Sequence, residues 1–219
     1  MNIPLQNIIN QKIKESREKH HEITSWHASK LGQCLRGVFL ERMGVKPDIE
    51  FDERTLRVFD LGHIIEEWFV NLLKDVPNVE IKTQEKVEDK ELNVSGYCDL
   101  IVCHEGNQKV YELKSKHSKA FWYMIDKKEG ANRQHEYQLW LYLKLLKIAE
   151  GGLVYISKDD LSIAEFPVLL SNKQLEAEVM NEINLLNRAW KEKNPRLLPL
   201  PKEAWKSKFC RWHKQCVKL

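Results

Sequence analysis

The stretch NVSGYCDLIVCHEGNQKVYELKSK, residues 93–116, decides how the rest of the chain is read. Leu92–Val102 and Lys109–Leu113 are rich in β-branched and aromatic residues. The turn formers Glu105, Gly106 and Asn107 separate them, which predicts two antiparallel strands. Side chains alternate faces along a strand, so Val110, Glu112 and Lys114 share one face, with neighbours about 6.6–7 Å apart. A short hairpin brings Asp99 alongside Glu112, and two carboxylates and an amine then meet at one spot. Adjacent carboxylates repel unless a cation lies between them, and hard divalent cations prefer carboxylate oxygen. The stretch therefore reads as a metal site with an ammonium group at its edge. Taken singly, each piece has an ordinary explanation. Asp99 caps a turn, Glu112 pairs with a surface lysine, and Lys114 is one solvated amine among many.

Outward from this hairpin, the chain alternates between helical and strand-like patterns. Residues 3–20 place Ile3, Leu5, Ile8, Ile9 and Ile13 at helical spacing, predicting an amphipathic helix packed by its first half. Ser25 and Ser29 are candidate caps for a helix over Lys30–Met43, ended by Gly44 and Pro47. Asp52–Val76 is a long helical pattern through Leu56, Phe59, Ile64, Trp68 and Leu72, with Gly62 and Glu66 one turn apart. A glycine in mid-helix costs roughly 1 kcal/mol against alanine, so it marks a close approach that Glu66 would also face. On spacing alone, a solvated surface acid is the better reading of Glu66. Val79–Val87 is a further strand, Lys116–Lys127 a short helix, and Asn132–Glu150 a helix ended by Gly151 and Gly152. Its stripe is Tyr137, Leu141, Leu145 and Ile148, with Gln134, Gln138 and Tyr142 on the adjacent face. Leu153–Ile156 and Ser162–Val168 form a second strand pair before a last helix over Ser171–Lys193. Strands with helices before, between and after them predict an α/β fold around one central sheet.

Composition sets the outer limits. The chain has 219 residues, 42% of them hydrophobic, which is one domain's worth of core. No run is long and apolar enough to span a membrane. MNIPLQNIINQKIKESREKHHE, residues 1–22, lacks the apolar region of a secretory signal. Five scattered cysteines argue against a disulfide framework and for a reducing, cytoplasmic setting. A net charge of +3 permits a polyanionic partner without demanding one.

Four short motifs fall in order along the chain. They are Gly62-His63-Ile64-Ile65-Glu66, Gly96-Tyr97-Cys98-Asp99, Glu112-Leu113-Lys114 and Gln138-Leu139-Trp140-Leu141-Tyr142. Together they resemble the PD-(D/E)XK nuclease superfamily, and within it the RecB-like branch. That branch includes the RecB and AddB nuclease domains and the iron–sulfur nuclease of CRISPR adaptation. The resemblance covers residues 30–216 and implies a restriction-endonuclease-like central mixed β-sheet flanked by α-helices. It implies one nuclease domain over 1–219, with an N-terminal helical extension over 1–24. The implied activity is metal-dependent hydrolysis of DNA with little sequence specificity, from ends or on single strands. A non-catalytic DNA-binding adaptor and a sequence-specific restriction endonuclease are the alternatives. By this resemblance Glu66, Asp99, Glu112 and the Leu113 carbonyl would bind Mg²⁺ or Mn²⁺. Lys114 would stabilise charge or act as a base, and Gln138 and Tyr142 would position DNA or steady the site. Many members carry histidine where Glu66 stands, and His63 is off that register.

The iron–sulfur members clasp a cluster between one N-terminal cysteine and three near the C-terminus. Cys34, Cys210 and Cys216 match three of these positions, and Ser207 occupies the fourth. A [4Fe–4S] cluster normally takes four thiolates. Three readings follow: a cluster completed by Ser207, His213 or solvent; zinc on Cys34, Cys210, His213 and Cys216; or cysteines simply buried together. Residues 202–219 form a basic, aromatic tail expected to pack back near Cys34. Its Trp205, Lys208, Arg211 and Trp212 interleave rings with cations, a pattern that suits single-stranded nucleic acid and equally a packed terminal helix.

Overall fold

The β-branched segments between residues 79 and 116 form three neighbouring strands of a mixed sheet. The computed structural model describes residues 4–17, 22–127, 129–200 and 210–218. Its strands are β1 (Trp26–His27), β2 (Val79–Asp89), β3 (Val94–His104), β4 (Asn107–Lys116), β5 (Glu150–Ser157) and β6 (Ile163–Leu169). The order is β1-β3-β4-β5-β6, with β2 pairing with β3 off this path. β4 is antiparallel to β3 and parallel to β5, which makes the sheet mixed. Among the described residues seven α-helices flank it: α1 (Leu5–Arg17), α2 (Leu35–Arg42), α3 (Glu53–Lys74), α4 (Ser118–Asp126), α5 (Arg133–Leu146), α6 (Lys173–Lys191) and α7 (His213–Val217). The α/β architecture expected from the element order is the one observed.

The sheet is not continuous. β2 pairs with β3 from Val94 to His104, occupying one edge of that strand. On the other edge β1 pairs with Val94 and Ser95, and β4 pairs only from Leu100 onward. Residues 96–99 therefore have no strand beside them on that edge. The ladder opens there, at the positions that carry Gly96 and Asp99.

Each face of the sheet buries a different helix. α5, buried from Tyr137 through Leu143, packs with α6 over Val110, Leu153 and Tyr155. α3 covers the opposite face, with Ile65 and Val70 against Leu113, Val154 and Ile156. The helix starts follow their caps: Asp52 accepts from Thr55 N at 2.8 Å, and Asn132 accepts from Gln134 N at 2.9 Å.

Several expectations are corrected. α5 ends at Leu146, with Lys147 in the left-handed region at φ 57°, and Glu150, Gly151 and Gly152 belong to β5. A Cβ on Gly151 would run into the Val110 carbonyl oxygen, so this glycine admits a close strand rather than stopping a helix. α1 leaves Leu5, Ile8 and Ile9 exposed and meets α3 through the polar pairs Asn10–Arg57 and Lys14–Glu53. Along α3 the buried residues are Leu56, Ile65 and Val70, whereas Phe59, Ile64 and Leu72 are exposed. α2 starts after Cys34 rather than at Lys30, because a single 3-10 turn occupies Ala28–Lys30. No helix among the described residues is long and apolar enough to cross a membrane.

Candidate active site

The opening between β3 and β4 is the floor of a cleft of about 550 Å³. Gly62, His63 and Glu66 line it from α3, Asp99 from β3, Glu112, Leu113, Lys114 and Ser115 from β4, and Gln138 from α5. Helices on opposite faces of the sheet thus reach one cavity through the break in its ladder. All four sequence motifs contribute to it.

Asp99 sits one residue beyond the last β3–β4 pair, Leu100 with Tyr111. Its Oδ2 accepts the Leu113 N–H at 2.9 Å, so a side chain replaces the missing ladder partner and fixes the carboxylate. Glu112 is wholly buried. Its Oε1 accepts from the Lys114 ammonium and, at 2.6 Å, from Gln138 Nε2. Gln138 Nε2 also lies 3.1 Å from the Tyr142 hydroxyl. Both Gln138 and Tyr142 are buried, which places them behind Glu112 as supports rather than at the mouth of the cleft. A Cβ on Gly96 would lie 2.7 Å from the Tyr142 hydroxyl oxygen. The glycine of one motif is thus the space that the tyrosine of another fills.

Glu66 faces the same cavity from α3, and Gln84 Nε2 donates to it at 2.7 Å. Gln84 was not among the residues singled out from sequence. It stands mid-strand at φ 51° and breaks the β2–β3 pairing between Thr83 and Glu85, opposite Asp99, with the register unchanged on either side. A left-handed residue other than glycine costs roughly 1 kcal/mol or more, and here the distortion aims an amide at an acid. Nothing in a lone glutamine signals this. Lys158 also lines the cleft and donates to the Val58 carbonyl at 2.9 Å.

Burial shapes the electrostatics. Burial, with the Asp99 charge added, pushes the Glu66 carboxyl up to about 7. Glu112 is raised well above the usual carboxylate range by burial, and the Asp99 charge reinforces this while Lys114 opposes it. Burial acts to lower the Lys114 amine, but Glu112 and Asp99 outweigh it and hold the group above its ordinary value. Lys114 is therefore an ammonium at neutral pH. A base role needs a lowered pKa, which a cation beside the buried amine would favour.

The donor chemistry fits a hard divalent cation. Three carboxylates line one cleft, and Glu112 Oε2 is buried without a hydrogen-bond partner. Buried polar atoms are rarely left so. As the side chains stand, Lys114 occupies the other Glu112 oxygen. Among the described residues no three acidic, histidine or cysteine groups close around one point as a metal-binding group.

The cysteines form a different locus. Cys34 and Cys210 are hydrogen-bonded to each other, which lowers the Cys210 thiol and raises that of Cys34. Cys216 packs with Leu40 and Trp212. These thiols and His213 do not assemble into a ligand set among the described residues. Trp205, Ser207 and Lys208 lie outside the described residues. Trp212 is buried, with its indole N–H on the Val45 carbonyl at 2.8 Å, and its ring packs against the α2 end while lining a second cavity. Arg211 lies over the Phe51 ring, 4.1 Å from its centroid.

No protein-family model matches the chain, and no curated protein sequence is recognisably similar. Among solved structures, SSO0001 superposes with a TM-score of 0.62 at 22% identity, covering 98% of this chain and 97% of that one. An alkaline exonuclease (LHK-Exo) from Laribacter hongkongensis gives 0.58 at 10% identity over 84% of this chain and 93% of that one. The complex of LHK-Exo with dAMP gives 0.59 at 11% identity over 78% and 90%. At such identities the likeness is one of fold.

Proposed function

We propose that this chain, whose fold is shared with an alkaline exonuclease, is a divalent-metal-dependent nuclease that hydrolyses DNA phosphodiester bonds. The observation that carries the proposal is the meeting of Glu66, Asp99, Glu112 and Lys114 in one cleft, each held by a neighbour. Glu66, Asp99, Glu112 and the Leu113 carbonyl would hold the cation. A bound Mg²⁺ or Mn²⁺ supplies Lewis-acid polarisation of a phosphoryl oxygen and a more acidic water. The Lys114 ammonium compensates the negative charge that grows on the phosphoryl group. Gln138 keeps Glu112 oriented, and Tyr142 supports Gln138. The cleavage we propose has little sequence specificity and acts from ends or on single strands.

Lys114→Ala and Asp99→Ala are expected to abolish Mg²⁺- or Mn²⁺-dependent degradation of end-labelled DNA, while both variants still fold and melt cooperatively. Undiminished degradation by both variants would remove this cleft from consideration. Binding without hydrolysis under every divalent cation would favour a non-catalytic clamp instead.

A further inference from the structure

Beside the cleft lies a second cavity of about 890 Å³, lined among others by Lys30, Phe51, Arg133, Gln134 and Arg211. Two features join the cavities. α5 contributes Gln134 to one and Gln138 to the other, one helical turn apart. Phe59 lines the catalytic cleft, Phe51 lines the second cavity, and the two rings touch edge to face with centroids 5.1 Å apart. Both rings remain in water, Phe51 at 42% exposure and Phe59 at 39%.

Exposed rings in contact are by themselves only an apolar patch. What distinguishes this pair is its flanks. On the cleft side, the Lys158 ammonium donates to the Val58 carbonyl, one residue from Phe59. On the far side, Arg211 lies 4.1 Å from the Phe51 centroid and donates to the Ile49 carbonyl. Among the described residues both cations donate to neutral main-chain oxygens and neither joins a carboxylate, while Arg211 also lies over the Phe51 and Trp212 rings, so both charges can serve an anion. Lys158 and Phe59 thus line the cleft that holds the carboxylates, and Phe51 and Arg211 line the second cavity, with the two rings in contact between them. Interleaved rings and cations recognise single-stranded nucleic acid, because rings stack on unpaired bases and cations follow the phosphates. A duplex keeps its bases stacked on each other and offers these rings nothing.

We propose that Phe59 and Phe51, flanked by Lys158 and Arg211, form a stacking subsite for unpaired bases of the strand whose phosphate enters the cleft. The subsite makes the enzyme select single-stranded or frayed DNA. The inference rests on the nuclease reading of the cleft, and its test separates the two.

The full-length protein is titrated, in chelator, into a labelled single-stranded oligothymidylate and into a blunt hairpin duplex, with fluorescence anisotropy as readout. Phe51→Leu and Phe59→Leu keep apolar volume and remove the ring face. Each is expected to weaken single-strand binding roughly 5- to 150-fold, the range one lost base stack implies, and to change hairpin binding less than about twofold. Phe51→Trp is expected to retain single-strand binding. Arg211→Gln and Lys158→Gln should each lower the slope of log affinity against log salt by about 0.7. Unchanged single-strand affinity in both leucine variants overturns the subsite, and so does an equal loss on both substrates. A loss of self-association with single-strand affinity intact also overturns it, assigning the patch to a second copy of the chain. If hydrolysis depends on Lys114 while the ring variants bind normally, only the subsite fails. If the rings govern binding but no divalent cation supports hydrolysis, the subsite stands and the nuclease reading fails.

Discussion

Gly96 is small because Tyr142 occupies the place where its side chain would stand. An added Cβ would lie 2.7 Å from the tyrosine hydroxyl and 2.8 Å from Cε1, so the ring must move. That ring carries the hydroxyl on which Gln138 rests, and Gln138 holds Glu112. Gly96→Ala is therefore expected to cost about 1–3 kcal/mol, the usual range for overpacking, and to lower hydrolysis together with stability. Thermal melts read this as a fall of several degrees, and a variant melting like the parent chain refutes it. The pairing of Gly96 with Tyr142 shows what was legible at this scale. Each residue belonged to a recognisable motif, but their contact crosses from a strand to a helix and left no local signal. Gln84 left none at all, since its part in holding Glu66 comes from a single pair missing from the β2–β3 ladder.

Elements were easier to read where periodicity is local. The two-residue repeat of β4 set Glu112 and Lys114 on one face, and the turn of α5 set Gln138 and Tyr142 on another. Ends were harder. Gly151 and Gly152 look like a helix stop, yet they lie in β5 because the neighbouring strand comes too close for a side chain. The start of α5 matters most for the site, since this helix carries both supports of Glu112. Asn132 caps it, accepting from Gln134 N at 2.9 Å. Asn132→Ala is expected to cost about 1 kcal/mol, and Asn132→Asp to recover most of it. Denaturant midpoints compare the three chains, and equal midpoints for all of them contradict the assignment.

At the scale of the whole molecule, the cleft holds acids whose folded-state affinity for protons is raised. Glu66 sits at about 7 against 4.5 for the ordinary group, and Glu112 is raised as well. A folded chain that keeps protons the unfolded chain has released loses stability as pH rises. The contribution of Glu66 is thus fully present below about pH 4.5 and is lost as pH rises through about 7. In chelator, the melting temperature of the parent chain is expected to fall across that window more steeply than that of Glu66→Gln. Mg²⁺ or Mn²⁺ should reverse the loss, adding about 2.7 kcal/mol at a hundredfold excess over its dissociation constant. Parallel pH profiles for parent and variant in chelator, or no stabilisation by either metal, contradict this account.

By itself the sequence determined the sheet-and-helix order and the four motifs, because strand and helix repeats are local properties of neighbouring residues. It also determined the scarcity of long apolar runs. The tertiary structure alone decided how the motifs meet. The ladder opens at residues 96–99, helices from both faces enter there, and Phe51 and Phe59 come to bridge two cavities. Those contacts join residues distant along the chain, and only the packing of whole elements on one another brings them within reach.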